Sequence, residues 1–102
     1  MHSEILLGKI LQRLEDQNYA KVSGYNAFKL IKEAETSVIL LREKGTKVIV
    51  PFKKILAGID YYKENTHAYD KGPTELRKIP ITYIASPVFA LLHLIPKSTT
   101  KI

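Results

Sequence analysis

The sequence predicts an α+β fold: a three-stranded antiparallel meander with an N-terminal helix, a helix after the third strand, and a C-terminal helical segment packed on the sheet. Three observations predict it. Apolar residues recur at helical spacing at Leu7, Ile10, Leu11 and Leu14, and again at Phe52, Ile55, Leu56, Ile59 and Tyr62. Short apolar segments lie between these stripes, each the length of a strand. Turn residues separate the segments, notably Glu43-Lys44-Gly45-Thr46.

The elements follow in order. Ser3 can cap a first helix over residues 4–18, which Gly8 weakens without breaking. Asn18 to Asn26 holds Ser23 and Gly24 and reads as a loop. The meander occupies residues 27–50. In its first strand Phe28 and Leu30 face one way and Lys29 the other. Val38-Ile39-Leu40-Leu41 is a continuous apolar run, the pattern of a central strand, and Val48-Ile49-Val50 is the third. Pro51 opens a second helix over residues 51–64. A polar loop follows, then a helical C-terminal segment over residues 73–95. Within it Pro73 to Lys78 forms a short helix that Pro80 ends. Ser86-Pro87 starts the last helix, Val88 to Leu94, which Pro96 stops, and residues 97–102 form a frayed tail. The 102 residues have the size of one domain.

Composition excludes several classes of protein. The chain has no Cys, so it has neither disulfide nor thiolate chemistry, and this fits the cytoplasm, a nucleus or a virion interior. The longest apolar stretch, Ile84 to Ile95, is broken by Ser86, Pro87 and His93 and is too short for a membrane span. No basic region followed by a continuous apolar one marks a signal peptide. No membrane partner is therefore expected.

A catalytic constellation is not found. His2, His67 and His93 have no ligand spacing between them, so no metal and no cofactor is expected. His93, within a Leu-rich helix, reads as a core or boundary residue, and His67, in a polar loop, as solvated. Lys71-Gly72-Pro73-Thr74 lacks the upstream glycine of a phosphate loop, and no Gly-x-Ser-x-Gly elbow is present. Glu33, Glu35 and Glu43 fall at hairpin ends, while Asp60 and Glu64 share a polar helix face.

Charge carries the functional expectation. The formal net charge is +6. In the first twenty residues Lys9 and Arg13 stand against Glu4, Glu15 and Asp16, so the positive charge lies beyond them. One basic group is Arg42, Lys44 and Lys47 at the strand turn with Lys53 and Lys54 opening the second helix. Lysines there oppose the helix dipole, at a cost of a few tenths of a kcal/mol each, and stand where free N–H groups can receive a phosphate. The second group is Lys71, Arg77 and Lys78 around the short helix. A short helix, a turn and a further helix has the outline of a helix-turn-helix, with Thr82, Tyr83 and Ser86 near the start of the reading helix, although Pro80 and Pro87 are unusual in such a motif and the apolar last helix reads better as closing the core. Tyr61, Tyr62 and Tyr69 lie among Lys63 and Lys71, where exposed rings could stack bases, while tyrosines at a helix edge more often pack with a wet hydroxyl, as is expected of Tyr62.

The order helix, three antiparallel strands, helix, with Lys53 and Lys54 opening the second helix, resembles the double-stranded-RNA-binding domain over residues 4–64. By that resemblance the two lysines would grip phosphates. The glycine-rich strand signature and the small-residue run of that family are absent, and residues 65–102 have no counterpart, so the resemblance is one of element order alone.

The expectation is a non-catalytic nucleic-acid-binding domain, with DNA favoured over RNA because the C-terminal segment would enter a groove. It suits the target-reading module of a larger nuclease or restriction enzyme. The rival is a protein–protein interaction or assembly module, such as a small phage or mobile-element protein. There Val38 to Leu41 and Val88 to Ile95 would form a homodimer surface.

Overall fold

A computed structural model describes residues 2–81 and 84–100. Thr82 and Tyr83 lie outside the described residues.

Helix α1 spans Ser3–Gln17 and buries Leu6, Leu7, Ile10 and Leu14, the stripe that its spacing predicts with Leu6 added. Ser3 is not the cap. His2 takes that position, and the Ser3 hydroxyl bonds the Asp60 carboxylate on the second helix instead. The helix ends at Asn18, whose φ of 65° is left-handed and whose N–H returns to Leu14 O at 2.7 Å. Asn tolerates this conformation because its short polar side chain can bond locally.

That reversal feeds a strand where a loop is expected. The sheet has four strands rather than three: β1 (Tyr19–Ala20), β2 (Phe28–Glu33), β3 (Ser37–Arg42) and β4 (Lys47–Pro51), in the order β1-β2-β3-β4. Every neighbouring pair is antiparallel. β1 has two residues, too few to show alternation. It is held by Leu30 N–H to Asn18 O at 2.8 Å and by Gln17 Nε2 to Tyr19 O at 2.7 Å. The β3–β4 turn passes through Gly45 at φ 90°, a region that favours glycine.

Side-chain alternation divides the sheet. Ala20, Phe28, Val38, Leu40, Val48 and Val50 face inward and are buried. Against them stand α1 and α2 (Phe52–Glu64), which buries Ile55, Gly58, Ile59 and Tyr62. Helix α3 (Ala85–Leu92) completes the layer with seven of its eight residues buried. These residues belong to one core cluster. α2 touches both α1 and α3, most closely at Gly58 beside Val88 and Leu92.

The expected polar loop is partly ordered at Thr66–Asp70, and the expected short helix forms at Pro73–Lys78, each as a 3₁₀ segment. Glu75 ties them together by accepting from Tyr61 Oη at 3.0 Å, Lys78 Nζ at 3.1 Å and the His67 ring at 3.2 Å. His67 is thus exposed yet partnered. His93 occupies the boundary position its Leu-rich setting predicts. Its ring nitrogens lie 2.9 Å from Phe89 O and 2.9 Å from Tyr69 O, and its ring stacks at 4.0 Å on Tyr69. The expected tail is in part a helical turn, α4 (Lys97–Thr100), with Lys97 paired to Asp70. No described helix is long and apolar enough to cross a membrane.

Candidate nucleic-acid interface

Only one face of the sheet carries helices. Helices α1, α2 and α3 cover that face, as expected, and β3 is an inner strand of the sheet. Register places Tyr19, Lys29, Leu41 and Lys47 in one outward cross-strand row. Lys32, Ile39 and Ile49 form the next row. Ile49 is 61 % exposed and Tyr19 49 %, while Ile39 and Leu41 are half-buried. A bulge leaves Ile31 out of the register and 42 % exposed. The outward positions of the two rows thus combine three lysines with apolar side chains and hold no carboxylate.

The basic residues singled out in the sequence distribute around this face unevenly. Lys47 lies on it and Lys44 stands exposed at the adjoining turn. Arg42 pairs with Phe28 and so belongs to the inward register, at its rim. Its guanidinium sits 5.9 Å from the Phe28 ring centre, a geometry that holds the cation in place. Glu43 beside it accepts from Ala27 N–H at 2.9 Å.

Lys53 and Lys54 lie at the other end of β4. From Lys47 to Pro51 is about 14 Å of strand, so the turn cluster and the helix-start cluster do not converge. They bracket the open face. The two lysines also differ from each other. Lys54 donates to Pro80 O at 2.9 Å and is half-buried, tying α2 to the segment before α3. Lys53 is exposed and borders a groove of about 410 Å³ with Thr36, Pro51 and Phe52. The start of α2 has no side-chain cap, and Phe52 N–H is taken by Thr36 O at 2.8 Å.

The second basic group does not join the first. Lys71, Arg77 and Lys78 are exposed, but Arg77 and Lys78 belong to the second 3₁₀ segment and Lys71 to the link before it, in the helical layer on the far side of the sheet from its open face. Lys78 is paired with Glu75, whose hydrogen bonds from Lys78, Tyr61 and His67 hold its carboxyl below the usual range. Ser86 corrects the expectation built on it. It is half-buried in the first turn of α3, beside Tyr25, Phe28 and Phe89 around a hollow of about 200 Å³. With α3 buried on nearly all sides, no face remains to enter a DNA groove, and the helix-turn-helix outline is not formed. Thr82 and Tyr83, named with it, fall outside the described residues. For the same reason Val88 to Leu92 cannot serve as a dimer surface.

Tyr62 packs, as expected of it, and Tyr61 and Tyr69 do not offer an open ring to a base. Tyr62 is fully buried, and Tyr61 and Tyr69 are half-buried with hydroxyls bonded to Glu75 and Ile95 O. Among the described residues Tyr19 and Tyr25 are the exposed tyrosines, and Tyr25 packs edge-on against Phe89 while Tyr19 lies on the open face, in a stretch whose sequence looks like a loop. Lys29 faces outward by the alternation of β2, whereas strict alternation would set Lys32 on the side of Phe28 and Leu30, and only the bulge at Ile31 turns it outward. Among the described residues no three of His, Asp and Glu stand together to hold a metal ion.

Comparison with known proteins finds no matching family model, no matching curated protein and no matching solved structure.

Proposed function

We propose that the chain is a non-catalytic nucleic-acid-binding module whose contact surface is the open face of the sheet. One observation carries the reading: Lys29, Lys32 and Lys47 alternate with Tyr19, Ile39, Leu41 and Ile49 on outward positions that bear no carboxylate. Lysines neutralise phosphates, and flat apolar side chains accept base faces. Lys44 and Lys53 extend the basic surface beyond the two ends of β4. A cysteine-free chain suits a partner in the cytoplasm. Preference for DNA over RNA rested on a helix entering a groove, and a buried α3 removes that reason.

The exposed isoleucines support a second reading, an interface with another copy of the chain. A two-fold contact across this face would set Lys29, Lys32 and Lys47 near their own copies, with no carboxylate in their two rows to offset them. Charge therefore favours a polyanion.

The test is anisotropy of labelled single strands, duplex DNA and duplex RNA at several salt concentrations. About four neutralised phosphates give a slope of log affinity against log salt near −3 for a single strand. Binding that ignores salt, or none tighter than about 10⁻⁴ M, refutes the reading. Sedimentation in the same buffers reads out the dimer.

A further inference from the structure

The Tyr19 end of the open face has a shape of its own. A shallow groove of about 440 Å³ lies there, bordered by Gln17, Asn18, Tyr19, Lys29, Leu41 and Arg42. We propose that it is a subsite for one unpaired base of a single-stranded nucleic acid, stacked on Tyr19. The proposal rests on the nucleic-acid reading and adds the form of the ligand.

Three features argue for it. First, Tyr19 is presented on a fixed backbone. Its carbonyl accepts from Gln17 Nε2 at 2.7 Å, the preceding Asn18 carbonyl accepts from Leu30 N–H at 2.8 Å, and α1 ends immediately before. A half-exposed ring on a held strand offers its face without a further ordering cost. Second, the flanking charges suit a strand that crosses the groove. Lys29 pairs with Tyr19 across the sheet, Leu41 with Lys29, and Lys47 with Leu41. Adjacent strands are about 4.8 Å apart, so the row runs aromatic, cation, apolar, cation over about 14 Å. Arg42, steadied over Phe28, adds a second fixed cation at the rim. Third, Glu43 also borders the groove, bonded to Ala27 N–H. A carboxylate there repels a phosphate and accepts from a base amino group, so the base and not the backbone enters.

A duplex cannot use this arrangement. Its base faces are stacked on one another, and a flat sheet reaches only its edges and phosphates. An acidic peptide would satisfy the lysines but gain nothing from the ring.

The experiment compares the full chain with Tyr19→Leu, Tyr19→Trp and Lys47→Glu, each checked for an unchanged thermal midpoint. The probes are short single strands carrying aminopurine, the matching duplex, and polyglutamate as competitor. The expected results are preference for the single strand, and quenching of aminopurine that Tyr19→Leu abolishes and Tyr19→Trp keeps. Tyr19→Leu should weaken binding by about 5- to 150-fold, the effect of losing one stacked base. Its salt slope should stay unchanged, whereas Lys47→Glu should flatten it. Equal affinity for the duplex, full affinity in Tyr19→Leu, or equal competition by polyglutamate overturns the subsite. If Lys47→Glu weakens binding while Tyr19→Leu does not, the base site fails and the nucleic-acid reading stands. If no nucleic acid binds, both fail.

Discussion

Gly8 and Gly58 both sit inside helices, yet replacing each with alanine should move stability in opposite directions. A Cβ at Gly8 meets nothing within 4 Å. Gly8→Ala therefore keeps the full gain in helix propensity, about 0.8–1 kcal/mol. A Cβ at Gly58 would stand 3.0 Å from Leu92 Cδ1 and 3.0 Å from Val88 Cγ1. Carbon atoms pack comfortably at about 3.5–4.0 Å, so two side chains must each yield by roughly half an ångström. Both are fully buried in the core cluster and have little room to do so. Overpacking of this kind costs about 1–3 kcal/mol. Set against the same propensity gain, Gly58→Ala should destabilise by about 1 kcal/mol, leaving the two variants about 2 kcal/mol apart. Urea melts of a small protein, with a slope of about 1–3 kcal/mol per molar, would show midpoints separated by about 1 M. Val88→Ala removes one of the two clashing methyl groups, so Gly58→Ala should cost less in that background than alone. If Gly58→Ala stabilises as much as Gly8→Ala, α2 and α3 do not approach as closely as this packing requires.

Further expectations concern buried and paired groups. The Tyr62 hydroxyl is buried with no hydrogen-bond partner among the described residues, and burial, then Tyr69 and Glu75, pushes its pKa up. Tyr62→Phe should leave stability unchanged or raise it by about 1 kcal/mol, because no bond is lost and a desolvated polar group is removed. A loss in urea melts would mean that the hydroxyl is bonded. Glu75 has a carboxyl held low chiefly by its bond from Lys78, so its contribution is present above the unfolded pKa and is lost as pH falls through the folded one. Glu75→Gln should lower stability at neutral pH and lose that deficit in acid. Glu33 behaves oppositely. Its hydrogen bond with Glu15, then burial, then the Glu15 charge raise its pKa, so its contribution is present below the unfolded pKa and fades as pH rises through the folded one. Glu33→Gln should therefore stabilise at neutral pH and have no effect in acid, read from melts across that range.

What could be read from the sequence followed from periodicity. The stripes of α1 and α2 were legible because their apolar spacing repeats over several turns, and the structure buries Leu7, Ile10 and Leu14 in one and Ile55, Ile59 and Tyr62 in the other. β1 was illegible because two residues carry no period, and its partner β2 is separated from it by seven. The role of Ser3 was misread for a related reason. A Ser before an apolar stripe signals a cap, but here an aspartate fifty-seven positions away competes for its hydroxyl. The candidate site suffered most. Charge alone cannot say which lysines share a face, and the group at Lys71, Arg77 and Lys78 proved to lie in the helical layer.

Two local irregularities in the sequence now have different explanations. Lysines opening α2 and Asp60 near its end both oppose the helix dipole. Half of that conflict is structural: Lys54 binds Pro80 O and Asp60 holds Ser3. Lys53 retains no such explanation, and it borders the groove at Thr36 and Pro51. The other irregularity is the apolar content of outward strand positions. An antiparallel sheet with one wet face normally alternates apolar with polar, yet Ile39, Leu41 and Ile49 point away from the core. Folding gains little from side chains left in this position, and the proposed contact surface gives them a use. Both irregularities meet along β4 and the start of α2, from Lys47 and Ile49 to Pro51 and Lys53. Under the proposed reading, a partner that uses them all lies along β4 and the start of α2, a path that suits an extended polyanion better than a helix set into a groove.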